Sequence, residues 1–264
     1  MKLLKAMAIA FSIYSKIPVP QFEWKEEDME YMMCFFPWIG GVIGLFFFGW
    51  AVLCEKFAVG NVCYALIGAA IPLMISGGFH VDGYMDTMDA FHSYQSREKK
   101  LEILKDSHIG AFAAIMLALY YMIDIAAISE IHTQKAVSAV AAVFFLARCF
   151  SGIAVMTLQP AKKEGLLYTF ASSAQKVMVK AALYFQTVLC VVLMLLVSGW
   201  YGAAAIGAAL LSFFYFKKKS YKELGGITGD TAGFFVTVCE AKRCNALSLA
   251  VSMIYWYKIG RAHV

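Results

Sequence analysis

Long stretches without a formal charge constrain this chain more than any other feature. Ala181 to Phe216 runs for 36 consecutive residues with no Asp, Glu, Lys or Arg. Tyr31 to Cys54 and Phe57 to Val81 are likewise uncharged, and only Glu55 and Lys56 separate them. About 20 apolar residues in a helix cross the ~30 Å hydrocarbon core of a bilayer. The longest run exceeds one crossing, and Ser198-Gly199 near its middle predicts two helices joined by a tight turn. The Glu55-Lys56 break predicts a helical hairpin. Further spans are expected over Ser107 to Ser129, over Ala136 to about Leu158, and more weakly over about Phe234 to Tyr257. The chain is 61% hydrophobic and 16% charged, whereas soluble domains carry about 45–50% and 25%. The expected fold class is therefore all-α. It is a polytopic membrane helical bundle of about seven transmembrane helices, six to eight at the limits, in one domain over residues 1–257.

Alternate threading of these spans sorts the basic residues. One side collects 16 of them, from Lys2, Lys5, Lys16 and Lys25 through to Lys217, Lys218, Lys219 and Lys222, against Lys56 and Lys135 on the other. The positive-inside rule makes the first side cytoplasmic. The protein is expected in a bacterial or archaeal cell membrane, the inner one in a Gram-negative cell. Three polar segments fall on the cytoplasmic side: the stretch from Asp82, the loop Gln159 to Lys180, and Gly225 to Gly233. The N-terminus, MKLLKAMAIAFSIYSKIPVP, imitates a signal peptide, but Lys16 interrupts it and no A-x-A site follows. A short interfacial or re-entrant helix is the expectation there. Seven scattered cysteines form no C-x-x-C pair, which points to small buried hydrophobes rather than zinc or redox work. No basic-aromatic interleaving suggests nucleic acid. Lys258 to Val264 matches the in-frame translation of a sequencing adapter and reads as a non-native tail.

Gly77 to Gly110 interrupts the apolar pattern with Asp82, Asp86 and Asp89, spaced four and three apart. On a helix these share one face. Clustered carboxylates beside a membrane must protonate, pair with basic groups, or bind a cation. Their hard oxygens suit Mg²⁺, with Mn²⁺ as the alternative, and Mg²⁺ prefers one or two carboxylates together with substrate phosphates. The spacing thus points to a metal site for a diphosphate substrate, the competing reading being a solvated helix face paired with Arg97 or Lys105. Gly77, Gly78 and Gly83 favour close approach of a ligand or backbone.

His80, Asp106 and Asp230 are candidate catalytic groups, as base or additional metal ligand. Each also has a structural reading, with Asp106 capping the helix from Ser107 and Asp230 capping the last one. Arg148 is costly at mid-span unless it faces a polar cavity, so it is a candidate partner for an aspartate or for phosphate. Lys105 and the glycines Gly225, Gly226 and Gly229 of GGITGDTAG are candidate phosphate contacts.

These residues together resemble the cobalamin synthase family, the adenosylcobinamide-GDP ribazoletransferases of bacteria and archaea. The hallmark GG-hydrophobic-H-x-D-G-x-x-D-x-x-D stands here as Gly77 to Asp89. FSIYSKIPVP (Phe11 to Pro20), FFPWIGGVIG (Phe35 to Gly44), LEILKDSHIG (Leu101 to Gly110), KKEGLL (Lys162 to Leu167) and GGITGDTAG (Gly225 to Gly233) follow in the family's order. His108 and Ala113 depart from it, where members often carry arginine and glycine. The resemblance implies transfer of the adenosylcobinamide phosphate moiety from adenosylcobinamide-GDP to α-ribazole or its 5′-phosphate, with release of GMP. It implies Mg²⁺ on Asp82, Asp86 and Asp89. The implied partners are those two substrates and the lipid bilayer, together with homo-oligomers or association with other cobalamin-assembly enzymes. Two other readings of the aspartates remain, a CDP-alcohol phosphotransferase or prenyltransferase, and a divalent-cation transporter.

Overall fold

The computed structural model describes residues 2–20, 23, 25–162 and 164–241. Those residues form α1 (Lys2–Tyr14), a 3-10 turn (Glu26–Met29), α2 (Met32–Lys56), α3 (Asn61–Ser76), α4 (Phe79–His92) and α5 (Arg97–Ile103). They continue as α6 (Ala111–Ile128), α7 (Gln134–Thr157), α8 (Leu166–Ser173), α9 (Lys176–Ser198) and α10 (Trp200–Leu224). A last helix, α11, covers residues 229–241. The described residues contain no strand, only an isolated bridge between Pro160 and Ile227. The chain is an all-α membrane helical protein.

Helix α7 is the hub, packed by α2, α9 and α10 and buried along most of its length. In lipid there is no hydrophobic force between helices, so small residues that let backbones approach do much of the holding. Gly40 and Gly44, four apart on α2, lie directly on α7. A β-carbon at either would sit 2.1 or 2.2 Å from the carbonyl oxygens of Phe144 and Ala141. Helices α6 and α9 turn strings of apolar side chains outward, among them Ile115, Leu119, Val188, Val192 and Leu196. Outward apolar faces of that length suit lipid.

Among the described residues, four helices are long and apolar enough to cross a membrane, namely α2, α6, α7 and α9, and the bent pair α3–α4 makes a fifth if taken as one span. This is fewer than the seven expected, for identifiable reasons. The second uncharged run breaks at Gly77 and Gly78, both in the left-handed region at φ +66° and +86°. The chain bends there by 98°, so α4 does not continue the path of α3. Helix α10 ends in Lys217, Lys218, Lys219 and Lys222 and misses the required apolarity. The expected final span begins in α11 and passes beyond the described residues, as do Cys244 and the suspected tail.

Other expectations meet the structure closely. The predicted turn at Ser198-Gly199 separates α9 from α10, with Gly199 at φ +55°. The N-terminal segment is a helix of 13 residues, roughly 20 Å at 1.5 Å per residue and too short to cross. Of the described cysteines, Cys54, Cys149, Cys190 and Cys239 are buried thiols, while Cys63 is exposed.

Candidate functional site

Segments distant in sequence close on one cavity of about 560 Å³, a size usual for small-molecule sites. Its polar end is lined by Asp82 from the first turn of α4, Lys105 after α5, Lys162 and Glu164 between α7 and α8, and Thr228 to Asp230 at the start of α11. Its other end is apolar and aromatic, with Tyr14, Phe36, Phe79, His80 and Phe170. The three polar loops expected on one side of the membrane are those that meet here.

A close helix crossing sets the polar end. Gly83 on α4 faces the backbone of α11, where an added β-carbon would lie 2.8 Å from the Asp230 carbonyl oxygen. One turn along α11, Gly233 meets the backbone of His80, and the Thr237 hydroxyl donates to the His80 carbonyl at 3.1 Å. The start of α11 is held by a reciprocal cap. The Thr228 N–H donates to the Thr231 hydroxyl at 2.8 Å, and the Thr231 N–H donates back to the Thr228 hydroxyl at 3.2 Å. Thr228 therefore caps this helix, and its hydroxyl also donates to the Asp230 carboxylate at 3.4 Å.

The three α4 aspartates have different surroundings. Asp82 is exposed on the cavity wall. Asp86, one turn on, is half-buried, and burial together with the neighbouring Asp82, Asp230 and Asp89 pushes its carboxyl up to about 7. Asp89 accepts hydrogen bonds from the backbone N–H groups of Gly110 and Ala113, both at 2.8 Å. It thus satisfies the first turn of α6, whose own N-cap residue, Gly110, has no side chain to do so. Asp89 was expected on metal; here both its oxygens are committed to a helix terminus. Burial also raises the Asp230 carboxyl, against a smaller opposing pull from its own backbone and Lys162.

His80 lines the cavity and is 4% exposed. Neither ring nitrogen has a hydrogen-bond partner within the protein. Burial, and then the charge of Arg148, keep the ring neutral far below its usual range. Lys105 Nζ donates to Glu164, and Lys162 Nζ donates to the Leu101 carbonyl at 2.7 Å. Both ammonium groups are therefore anchored at the polar end. Gly229 has open space where a side chain would be.

Four expected site residues are placed elsewhere. Asp106 is exposed and holds its own turn, accepting from the His108 N–H at 3.0 Å and pairing with the His108 ring at 2.6 Å. It caps no helix, since α6 starts only at Ala111. Gly225 and Gly226 pack against protein and do not line the cavity. Gly225 ends α10 at φ +71° under the Arg97 guanidinium, and Gly226 lies against the backbone of Gln159 and Pro160. Arg148 is 1% exposed and donates to Glu240 at 2.8 Å and to the Phe144 carbonyl at 2.9 Å. Its expected partner was an aspartate or a phosphate; Glu240 on α11 takes that place. The contributors missed from sequence are Lys162, Glu164, Thr228, Tyr14 and Phe36. All five lie in or beside the motifs that carry the family resemblance, the one signal that marks them.

The family model for cobalamin-5-phosphate synthase matches residues 6–248 of the chain. The adenosylcobinamide-GDP ribazoletransferase of Lachnoclostridium phytofermentans is 43% identical over 256 residues, covering 97% of this chain and 98% of its own. The protein of the same name from Clostridium botulinum (strain Alaska E43) is 30% identical over 242 residues, covering 90% and 94%. One from Azorhizobium caulinodans is 29% identical, covering 90% and 93%. No solved structure matches the chain. A match over nearly the whole length means that the chain belongs to the cobalamin-5-phosphate synthase family.

Proposed function

We propose that this protein transfers the adenosylcobinamide phosphate moiety of adenosylcobinamide-GDP to α-ribazole or its 5′-phosphate, with Mg²⁺, at the polar end of the cavity. Its relatives carry the name of this transfer. The observation that carries the site assignment is the meeting of Asp82, Asp230, Lys105 and Lys162 on one wall beside an apolar chamber. A diphosphate needs cations and a metal-binding edge, while an organic acceptor needs apolar surface.

The residues present fit Mg²⁺ shared with the substrate. Among the described residues no three acidic, histidine or cysteine side chains close into a metal shell by themselves. Mg²⁺ commonly takes one or two carboxylates and completes its octahedron with phosphate oxygens and water. Asp82 and Asp86 would hold the ion, with Asp230 beside them, and Asp89 supports the group by tying α4 to α6. Mn²⁺ is the alternative ion. When bound, the ion neutralises charge on the diphosphate and on the departing nucleotide.

The chain's own groups do the rest. Lys105 and Lys162 hold the phosphates. Asp230 takes the proton from a free ribose hydroxyl of the acceptor as that oxygen bonds to the phosphorus next to the corrinoid. The bond from that phosphorus to GMP breaks, and GMP leaves with the electron pair. The excess of basic residues in the loops around the cavity supports a cytoplasmic opening. The test incubates the detergent-solubilised protein with adenosylcobinamide-GDP, α-ribazole and Mg²⁺ and measures GMP. Release that is lost on chelation and in Asp86→Ala is expected; Asp86→Ala turning over at the wild-type rate would overturn the metal assignment.

A further inference from the structure

The apolar end of the cavity is built differently from its polar end. Three aromatic rings, Tyr14, Phe36 and Phe79, pack around the unsatisfied His80 ring, and Phe170 packs on Tyr14. The Tyr14 ring lies 4.6 Å from Phe36, 5.1 Å from Phe79 and 6.2 Å from Phe170, centre to centre. The His80 ring lies 5.9, 5.6 and 5.6 Å from Tyr14, Phe36 and Phe79. Tyr14, Phe36, His80 and Phe170 are each more than nine-tenths buried, yet all border the cavity. A buried polar group without a partner is rare in a folded protein and calls for a ligand that satisfies it. The rings come from α1, α2, α4 and α8, so the box exists only in the assembled fold.

We propose that this aromatic box binds the base of the acceptor nucleoside, with the His80 ring hydrogen-bonded to the base's free ring nitrogen. This rests on the transfer reaction proposed above and adds to it where the acceptor sits. The chemistry of the box selects among the aromatic groups that reaction offers. Guanine presents hydrogen-bonding atoms along both edges, and a chamber whose polar groups are the His80 ring and the Tyr14 hydroxyl would strand most of them. Ribazole is a ribosylated dimethylbenzimidazole, a bicyclic base with two methyl groups and a single free ring nitrogen. It needs apolar walls, stacking faces and one donor, and the box supplies these. With the base in the box, the ribose lies toward Asp82 and Asp230, where its free hydroxyl must react.

The test compares α-ribazole with the riboside of dimethylindole, which has the same shape but lacks the free ring nitrogen. Binding to the full-length protein is read by calorimetry and KM by GMP release. Wild-type protein should bind ribazole roughly tenfold more tightly than the indole analogue, the usual discrimination from one buried hydrogen bond. In His80→Leu the two should bind within about twofold of each other. Phe36→Ala, checked for an unchanged melting profile, should raise the KM for ribazole about tenfold and leave the KM for adenosylcobinamide-GDP alone. An unchanged preference in His80→Leu, or a rise confined to the KM of the donor, would overturn the subsite. Absence of GMP release from wild type would instead remove the proposed reaction, while the calorimetric preference would still judge the subsite.

Discussion

A β-carbon on Gly83 would stand 2.8 Å from the carbonyl oxygen of Asp230. That contact is backbone on both sides, so neither partner can swing aside. The two helices that carry Asp82 and Asp230 are thereby held at a separation only glycine permits. Gly83→Ala should cost more than tenfold in kcat, because positioning errors of about 1 Å at a reacting centre carry penalties on the order of 10². Gly233→Ala, whose nearest contact is a longer 3.2 Å, should be milder. Steady-state kinetics of the two variants beside their melting curves provides the check.

Asp86 makes uptake of the metal depend on pH. Burial and its acidic neighbours raise its carboxyl from the usual carboxylate range to about 7. A proton and Mg²⁺ compete for that group, so apparent Mg²⁺ affinity should fall as pH drops below about 7 and level off above it. The linkage to stability has the opposite direction. The metal-free protein gains stability from this group as pH falls from 7 towards 4, where the folded state binds the proton that the unfolded state has released. Mg²⁺ titrations between pH 5.5 and 8.5 measure the first effect, and melting in chelator measures the second.

Asp82 and Asp89 should separate cleanly on mutation, despite sharing a helix face. Asp89→Asn keeps only one oxygen able to accept from Gly110 or Ala113, and should lower stability by about 1–2 kcal/mol, in line with a lost helix cap. Asp82→Asn removes no hydrogen bond within the protein and should leave melting unchanged while abolishing Mg²⁺-dependent turnover. Thermal unfolding and GMP release, measured on both, decide it.

Arg148 and Glu240 form a buried pair between α7 and α11. Removing one partner leaves the other charge buried alone, at a cost of about 3–5 kcal/mol. Arg148→Met and Glu240→Leu should each destabilise strongly, and the double variant should recover most of the loss. Recovery of folding with near-normal turnover is expected, since neither side chain borders the cavity. A double variant that folds but cannot turn over would place the pair in the reaction.

Much of the bundle was legible because hydrophobicity is local. The hairpin turn at Ser198-Gly199, the bounds of α7 and the aspartate face of α4 all follow from a few neighbouring residues. The resemblance to a family also depends only on residues in order, and it indicated the chemistry. Side-chain roles were harder. Asp89 and Asp86 look alike in sequence, yet one caps α6 and the other faces two more carboxylates. Gly225, Gly226 and Gly229 share one loop, and only Gly229 borders the cavity.

The uncharged runs by themselves determined that this chain is an α-helical membrane protein with its polar groups gathered into a few loops. Leaving backbone N–H and C=O groups unpaired in lipid costs too much for any other local solution. Tertiary structure alone decided which carboxylates face each other and which charge Arg148 meets. It also decided that rings from α1, α2 and α4 pack around His80. Those contacts join residues tens to more than a hundred positions apart, and their energies depend on distance and burial that no stretch of sequence contains.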